Sequence, residues 1–491
     1  MGTDSLVTGL AIIGIVIVVS ALLSGVIDKT GLPQVAVFIC IGAALGPSGL
    51  GVFDMTLESP VLRVVAILSL TLVLFTDAVS LNTSEVKRNA GLAFRMLGPG
   101  TILCAALTAL AAWWLLQIPP ALAAILGAAL ASTDPVLLRG LLRRRDISTE
   151  TRQALQLESG LNDVVLLPIV VFAIALTNHQ DYSFAKLSLG LFVLGPGAGI
   201  AVGLIGVAAL DLIRKRLGVR RDYESLYSLG IAFSAYAAAE AVHGSGFLAA
   251  FAAGLTIAAL DVELCDCFIE YGGVTAEMML LFTFVIFGSS LIWSGFSGLD
   301  APTVIFAVLA MLVRVPVYLL SLIGSNVKRR GRLIIAWYGP SGLSSLLLGL
   351  LPVFAGVPGS DRLFRVCALI VMISVVLHGA TPMLLARIAR KRESEEPPTP
   401  EPPERLRESR SLPVIEPSQQ PVGAQTITLE ELDRLQRLGE KVILLDVRTE
   451  RSRDTSDLQA EGSVRMPPEN VVAQARELNL PKEAWLIAYC A

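Results

Sequence analysis

Six polar side chains stand close together inside two runs that are otherwise apolar enough for hydrocarbon: Thr133, Asp134, Glu158, Ser159, Asn162 and Asp163, within residues 128–171. An ionisable group at bilayer depth is costly and marks an ion path or a proton relay by default. Three carboxylates in one such stretch are hard to account for as packing. Carboxylates surrounded by hydroxyl and amide oxygens can hold a proton or a hard monovalent cation.

The elements that must position these residues follow from composition. Of 491 residues, 54% are hydrophobic and 16% charged, whereas an ordinary soluble domain carries about a quarter charged residues. Apolar runs of about 20 residues, enough to span some 30 Å of hydrocarbon, recur from Ser5 to near Leu385. The expected fold is an all-α polytopic membrane protein. The net charge of -3 reflects segregated acids and bases, and nucleic acid is not an expected partner. Cys40, Cys104, Cys265, Cys267, Cys367 and Cys490 show no disulfide framework. Most lie in apolar runs, where cysteine behaves as a small hydrophobe. Cys265 and Cys267 have no nearby histidines, so no metal centre is expected, and no cofactor either. The run from Leu6 to Val26 lacks the basic leader of a cleaved signal peptide and reads as the first retained span.

Counting runs gives thirteen spans, at residues 5–26, 32–50, 60–80, 91–116, 121–138, 153–176, 185–213, 224–242, 246–260, 271–292, 302–323, 333–354 and 363–385. Cytoplasmic loops hold the excess of Lys and Arg. Odd-numbered spans are followed by basic groups such as Arg143, Arg144 and Arg145, or Lys328, Arg329 and Arg330; only the acidic loop of Asp261, Glu263 and Asp266 departs. Loops after even spans carry only Arg63, Lys186, Arg362 and Arg365. This places the N-terminus outside and the C-terminus in the cytoplasm, with the chain in the plasma (inner) membrane. One missed helix would invert every later loop.

Two spans are interrupted. Asp134 precedes Pro135 in the fifth, where the residue before proline is pushed out of the α region and a backbone donor is lost. The twelfth contains two glycines and a proline in Trp337–Leu346, WYGPSGLSSL. Discontinuous helices in corresponding halves point to a transport site at mid-membrane. Spans one to six and eight to thirteen would form inverted repeats.

On one helix Glu158 and Asn162 share a face, as do Ser159 and Asp163, while Glu158 and Asp163 diverge by about 140°. One carboxylate can face the ion path and the other a bundle partner. That partner is Arg314, the only basic residue deep in any span, since an unpaired buried charge is not tolerated. Asp163 is left free to titrate, with Thr133, Ser159 and unwound backbone offering oxygens, so that H⁺ and a cation compete for one carboxylate. Asp134 is expected to cap the half-helix after its own break, with ion binding beside Asp163 as the alternative. Asp77 reads as a gate, a relay or an interfacial acid. Glu240, His243 and Glu277 read as loop-proximal or packing residues.

These residues resemble the monovalent cation:proton antiporter family of the NhaP sodium/proton exchanger type, over about residues 5–390. The matching pieces are GLPQVAVFICIGAALGPSGLG, ASTDPV at 131–136, ESGLNDVVLLP at 158–168, GSGFLAAFAAGL at 244–255, and Arg314. The resemblance implies electroneutral exchange of one cation for one proton, ion binding at Asp163 with Thr133, Ser159, Glu158 and Asn162 around it, and a homodimer. Relatives show Arg in a GxRG segment of the twelfth span, where this chain has Ser341.

From Lys391 to Gln425 a Pro-rich, charged stretch reads as a linker. Beyond it, residues 426–491 resemble part of a rhodanese-like domain through LLDVRTE and the Tyr489–Cys490 pair. A small α/β cytoplasmic domain, truncated at Ala491, is expected there, with Cys490 as the thiol position but without the loop and helix that would activate it. Sulfur transfer is therefore not expected. The sequence points to a transporter, not an enzyme, exchanging Na⁺ or Li⁺ for H⁺. The rivals are K⁺/H⁺ exchange, a membrane-tethered sulfur-transfer or sensor protein, and a channel; neither a pore-lining ring nor a carbonyl filter motif is visible for the last.

Overall fold

A computed structural model describes residues 34–47, 49–51, 56–81, 86, 88–142, 147–177, 183–216, 221–260, 273–296, 299–325 and 327–395, then 441–447, 462–466 and 485–489, with a few single positions besides. The chain divides into two compact units, Met1–Glu396 and Pro397–Ala491.

The described residues of the first unit are mostly helical. In order they form α1 (Gln34–Leu45), α2 (Pro60–Ser80), α3 (Ala90–Leu116), α4 (Pro120–Ala131), α5 (Pro135–Leu142), α6 (Thr149–Thr177) and α7 (Phe184–Arg216). There follow α8 (Arg221–Ala241), α9 (Gly246–Leu260), α10 (Gly273–Ile286, continued by turns Phe287–Leu291 and Ile292–Phe296), α11 (Ala301–Ser321), α12 (Arg329–Trp337), α13 (Leu343–Phe354) and α14 (Ser360–Glu395). Among the described residues, α2, α3, α6, α7, α11 and the Ser360–Gly379 part of α14 are long and apolar enough to cross a membrane. Spans two to thirteen of the sequence reading each coincide with one of these helices or with a broken pair. The first, 5–26, lies mostly outside the described residues.

Local chemistry sets the boundaries. Pro60 and Pro120 open α2 and α4, where proline's missing N–H costs nothing and its φ is already helical. Asp300 caps α11 by accepting the Thr303 amide at 2.9 Å. Helix α14 runs to Glu395, past the linker start expected at Lys391. The reason is that ARIARKRESE contains only tolerable helix formers before Pro397. Wider π-type turns at Met96–Ile102 (around Pro99), Gly190–Leu194 and Phe287–Leu291 were not read from the sequence.

Burial sorts the helices into an inner and an outer set. Every residue of α4 from Ile125 to Ala131 and of α13 from Leu343 to Leu350 is buried, as expected of helices apolar all round. By contrast α3 and α7 expose Trp113, Trp114, Phe192 and Ile205. The two broken helices therefore lie at the centre.

In the second unit β1 (Val442–Asp446) pairs in parallel with β2 (Val464–Arg465) and β3 (Trp485–Tyr489), in the order β2-β1-β3. Both strands expected from the sequence, in KVILLDVRTE and WLIAYC, are β1 and β3. Cys490 and most of the expected short helix lie outside the described residues.

Candidate ion-binding site

Two breaks face each other at the centre of the bundle. Helices α4 and α5 are separated by Ser132, Thr133 and Asp134, and α12 and α13 by the segment Tyr338–Gly342. Each break leaves helix-end amides and carbonyls without intrahelical partners, and the two satisfy one another. The Asp134 amide donates to Pro340 O at 2.9 Å. Ser341 Oγ donates to Leu130 O at 3.0 Å and Ser345 Oγ to Ser132 O at 3.2 Å. The Leu343 amide donates to Asp134 Oδ2 at 2.8 Å. Asp134 thus serves the N-terminus of α13, a partner that the sequence expectation did not name. The carboxylate still meets the positive end of a helix, but the helix is 209 residues away in sequence. Gly342 is required by this approach, because a Cβ there would overlap the Asp134 side chain.

Helix α6 supplies the other carboxylates. Glu158 is fully buried and has partners on both oxygens. Arg314 of α11 donates Nη1 to Oε1 at 2.9 Å and Nη2 to Oε2 at 2.8 Å, a bidentate geometry that only a guanidinium provides. Tyr318 OH donates to Oε1 at 3.0 Å and Thr133 Oγ1 to the same atom at 3.2 Å. Arg314 stacks 4.0 Å over the Tyr318 ring, and its Nη2 reaches the carbonyls of Ile335 at 3.2 Å and Tyr338 at 3.4 Å. A cation thereby sits at the negative C-terminal end of α12. Gly339 leaves the room, since a Cβ there would overlap the guanidinium. Thr101, carried by the π-type turn of α3, lies 3.1 Å from Tyr318 OH.

Asp163, one and a half turns along α6, lives differently. Its Oδ1 accepts from Ser132 Oγ at 2.5 Å, and Ser344 is the other hydroxyl facing the carboxylate. Its Oδ2 is buried without a hydrogen-bond partner, as is Oδ1 of the neighbouring Asn162. Asn162 Nδ2 donates to Thr133 Oγ1 at 2.6 Å, so Thr133 links Asn162 to Glu158. Ser159 turns its hydroxyl to Gln156 O of its own helix at 3.4 Å.

The structure therefore joins Thr133, Glu158, Asn162 and Arg314 in one network, sets Asp163 beside it on Ser132, puts Asp134 in the crossing and leaves Ser159 on its own helix. Asp77 is partly buried near the end of α2. Glu240 accepts the Gly246 amide at 3.1 Å and so holds the start of α9, and His243 occupies a left-handed turn position. The side chain of Glu277, with Cys265 and Cys267, lies outside the described residues. Sequence reasoning missed Ser132, Tyr318, Ser344 and Ser345. Tyr318 had a signal, standing four residues after Arg314 and so on its face; the serines had only their place in the breaks.

Comparison with known proteins agrees with this architecture. The family described as sodium/hydrogen exchanger, transmembrane, matches residues 15–387. The K(+)/H(+) antiporter NhaP of Alkalimonas amylolytica is 27% identical over 375 residues, 75% of this chain and 64% of that protein. NhaP2 of Shewanella sp. (strain MR-4), also named a K(+)/H(+) antiporter, is 26% identical over 82% of this chain and 70% of its own. The Na(+)/H(+) antiporter NhaH of Halobacillus dabanensis is 26% identical over 61% of this chain and 75% of its own. The chain thus spans about two thirds of the length of the first two relatives. The solved sodium proton antiporter MjNhaP1 from Methanocaldococcus jannaschii shares the fold, with a TM-score of 0.64 at 19% identity over 78% of this chain and 98% of that one. With the family match extending over most of its length, the chain belongs to the sodium/hydrogen exchanger family.

Proposed function

We propose that the protein is a secondary antiporter exchanging a monovalent cation, Na⁺ or Li⁺, for H⁺ by alternating access, with Asp163 as the carboxylate that takes either ion. One observation carries this reading: Asp163 is buried where two broken helices meet, with one oxygen held by Ser132 and the other without a protein partner. A buried carboxylate that needs a counter-charge can take it from a proton or from a cation, and not from both at once. Asn162 Oδ1, also unpartnered, offers a further oxygen to a cation; Thr133 and Ser159 complete the candidate set. Glu158 is already neutralised by Arg314, so it holds the site together, and Asp134 holds the crossing. One titrating group replaced one for one leaves the site charge unchanged, which makes the exchange electroneutral.

A K⁺/H⁺ exchanger is the second reading, favoured by the relatives of that name at 27% and 26% identity. The residues invoked are the same, and only an ion series separates the two. In inside-out vesicles with an imposed proton gradient, Na⁺, Li⁺ and K⁺ are added in turn to wild type and Asp163→Asn. Dissipation by a cation in the wild type alone supports the site and names the ion; equal dissipation in the variant refutes the role of Asp163.

The reading extends to a lipid bilayer around the exposed apolar faces, to a homodimer, and to an external N-terminus with a cytoplasmic C-terminus, the last supported by the basic groups that follow odd-numbered spans. For residues 426–491 it extends to a rhodanese-like segment, supported by the parallel pairing of β1 and β3.

A further inference from the structure

Helix α12 ends at Trp337, and Arg314 takes two of its terminal carbonyls, those of Ile335 and Tyr338. The Trp337 carbonyl between them accepts the Gly339 amide at 3.1 Å and is shared with His378 of α14, whose Nε2 lies 3.2 Å away. The imidazole is wedged against the end of the half-helix, with ring centroids 5.9 Å from Trp337 and 6.4 Å from Tyr338. Its other nitrogen, Nδ1, lies 3.1 Å from both Ser374 Oγ and Ser374 O. These two neighbours suit opposite protonation states. A neutral ring donates from Nε2 to Trp337 O and accepts at Nδ1 from the Ser374 hydroxyl. A charged ring donates from both nitrogens, to Trp337 O and to Ser374 O. The site loses no hydrogen bond on taking up a proton.

A small cavity connects this ring to the carboxylate network. Its walls include His378, Ser374, Trp337, Ser341, Arg314 and Thr133, and Arg314 Nε, buried without a partner, belongs to the same wall residue. The volume, about 20 Å³, suits about one water molecule. The cavity also borders Ser341 of the break between α12 and α13.

We propose that His378 is a proton-operated positioning residue, which on protonation fastens the C-terminal end of α12 and slows exchange in acid; this rests on the antiport reading above. The proton comes from solvent, adds to the Nδ1 lone pair and returns to solvent on deprotonation. The Nε2–H to Trp337 O bond becomes charge-assisted, hence shorter and stronger, and an imidazolium at a helix C-terminus is favoured by the helix dipole. Arg314 of α11 opposes it as a like charge, offset by its partner Glu158 of α6; Cys104 of α3 and Tyr338 are the other ionisable neighbours. Helices α4 and α13 contain no charged residue. On α5, which also packs against α14, the charged residue is Arg139, whose side chain is outside the described residues.

The test uses the purified full chain in proteoliposomes, with cation-driven proton flux measured from pH 5 to 8, where histidine changes charge. Saturating cation suppresses proton competition at Asp163, so the remaining acid loss reports another group. His378→Gln can still donate to Trp337 O but cannot become charged. It is expected to keep the alkaline rate and lose the residual acid limb. Ser374→Ala removes the hydroxyl that serves the neutral ring but keeps the carbonyl that serves the charged one, and should move the limb the opposite way, to higher pH. NMR of the imidazole, in a chain with three histidines, should show His378 titrating over the same range as the residual loss. An unchanged limb in His378→Gln, or a ring that does not titrate between pH 5 and 8, overturns the inference. Absence of any exchange in wild type overturns the antiport reading instead.

Discussion

Glu158 and Asp163 stand five residues apart on one helix and are equally hidden from solvent, yet their surroundings are opposite. Glu158 accepts four hydrogen bonds, two of them from a guanidinium. Asp163 accepts one from Ser132 and keeps one oxygen unpartnered. Burial alone therefore does not make a carboxylate an ion site. The difference lies in whether the fold supplies the counter-charge permanently or leaves it to be supplied by whatever arrives.

The comparison can be broken most directly at Asp163. Asp163→Asn removes the titrating charge at nearly constant shape, and exchange should disappear while the detergent-solubilised protein keeps its melting profile. The mirror experiment is Arg314→Ala, which leaves Glu158 charged and without its counter-ion. Removing one partner of a buried pair costs about 3–5 kcal/mol, so a large fall in thermal stability is expected; an unchanged melting profile would mean that Glu158 is held by something else.

Tyr318→Phe keeps the ring under Arg314 and deletes only the hydroxyl, which should lower stability by about 1.5 kcal/mol, as for a hydrogen bond to a charged group. The mildest probe is Ser132→Ala. Losing the one hydrogen bond to Asp163 should weaken apparent cation affinity by about 1 kcal/mol, roughly fivefold, with maximal flux retained. A collapse of flux in this variant would show that Ser132 has a larger share in the site than its single bond suggests.

Much of this contrast could be read from residue types. Glu158 had no other basic residue so deep to meet than Arg314, and Pro135 and the Gly339–Gly342 segment cannot continue a helix. What could not be read was long-range reciprocity. Nothing local to Asp134 says that its carboxylate serves Leu343, because the half-helix immediately following it offers first-turn amides as a nearer partner. Serines in apolar spans commonly bond their own helix, as Ser159 does, so Ser132 and Ser345 gave no sign of reaching across. The π-type turn that delivers Thr101 to Tyr318 depends on how Pro99 is accommodated, which sequence periodicity does not reveal.

The stitched crossing has a further consequence. The carbonyls of Leu130, Ser132 and Pro340 each already accept a bond from the opposite break, so the unwound backbone is largely occupied with holding itself. Each break is therefore part of the other's backbone support, and a substitution that shifts one, such as a side chain larger than glycine at Gly342, would be felt in both.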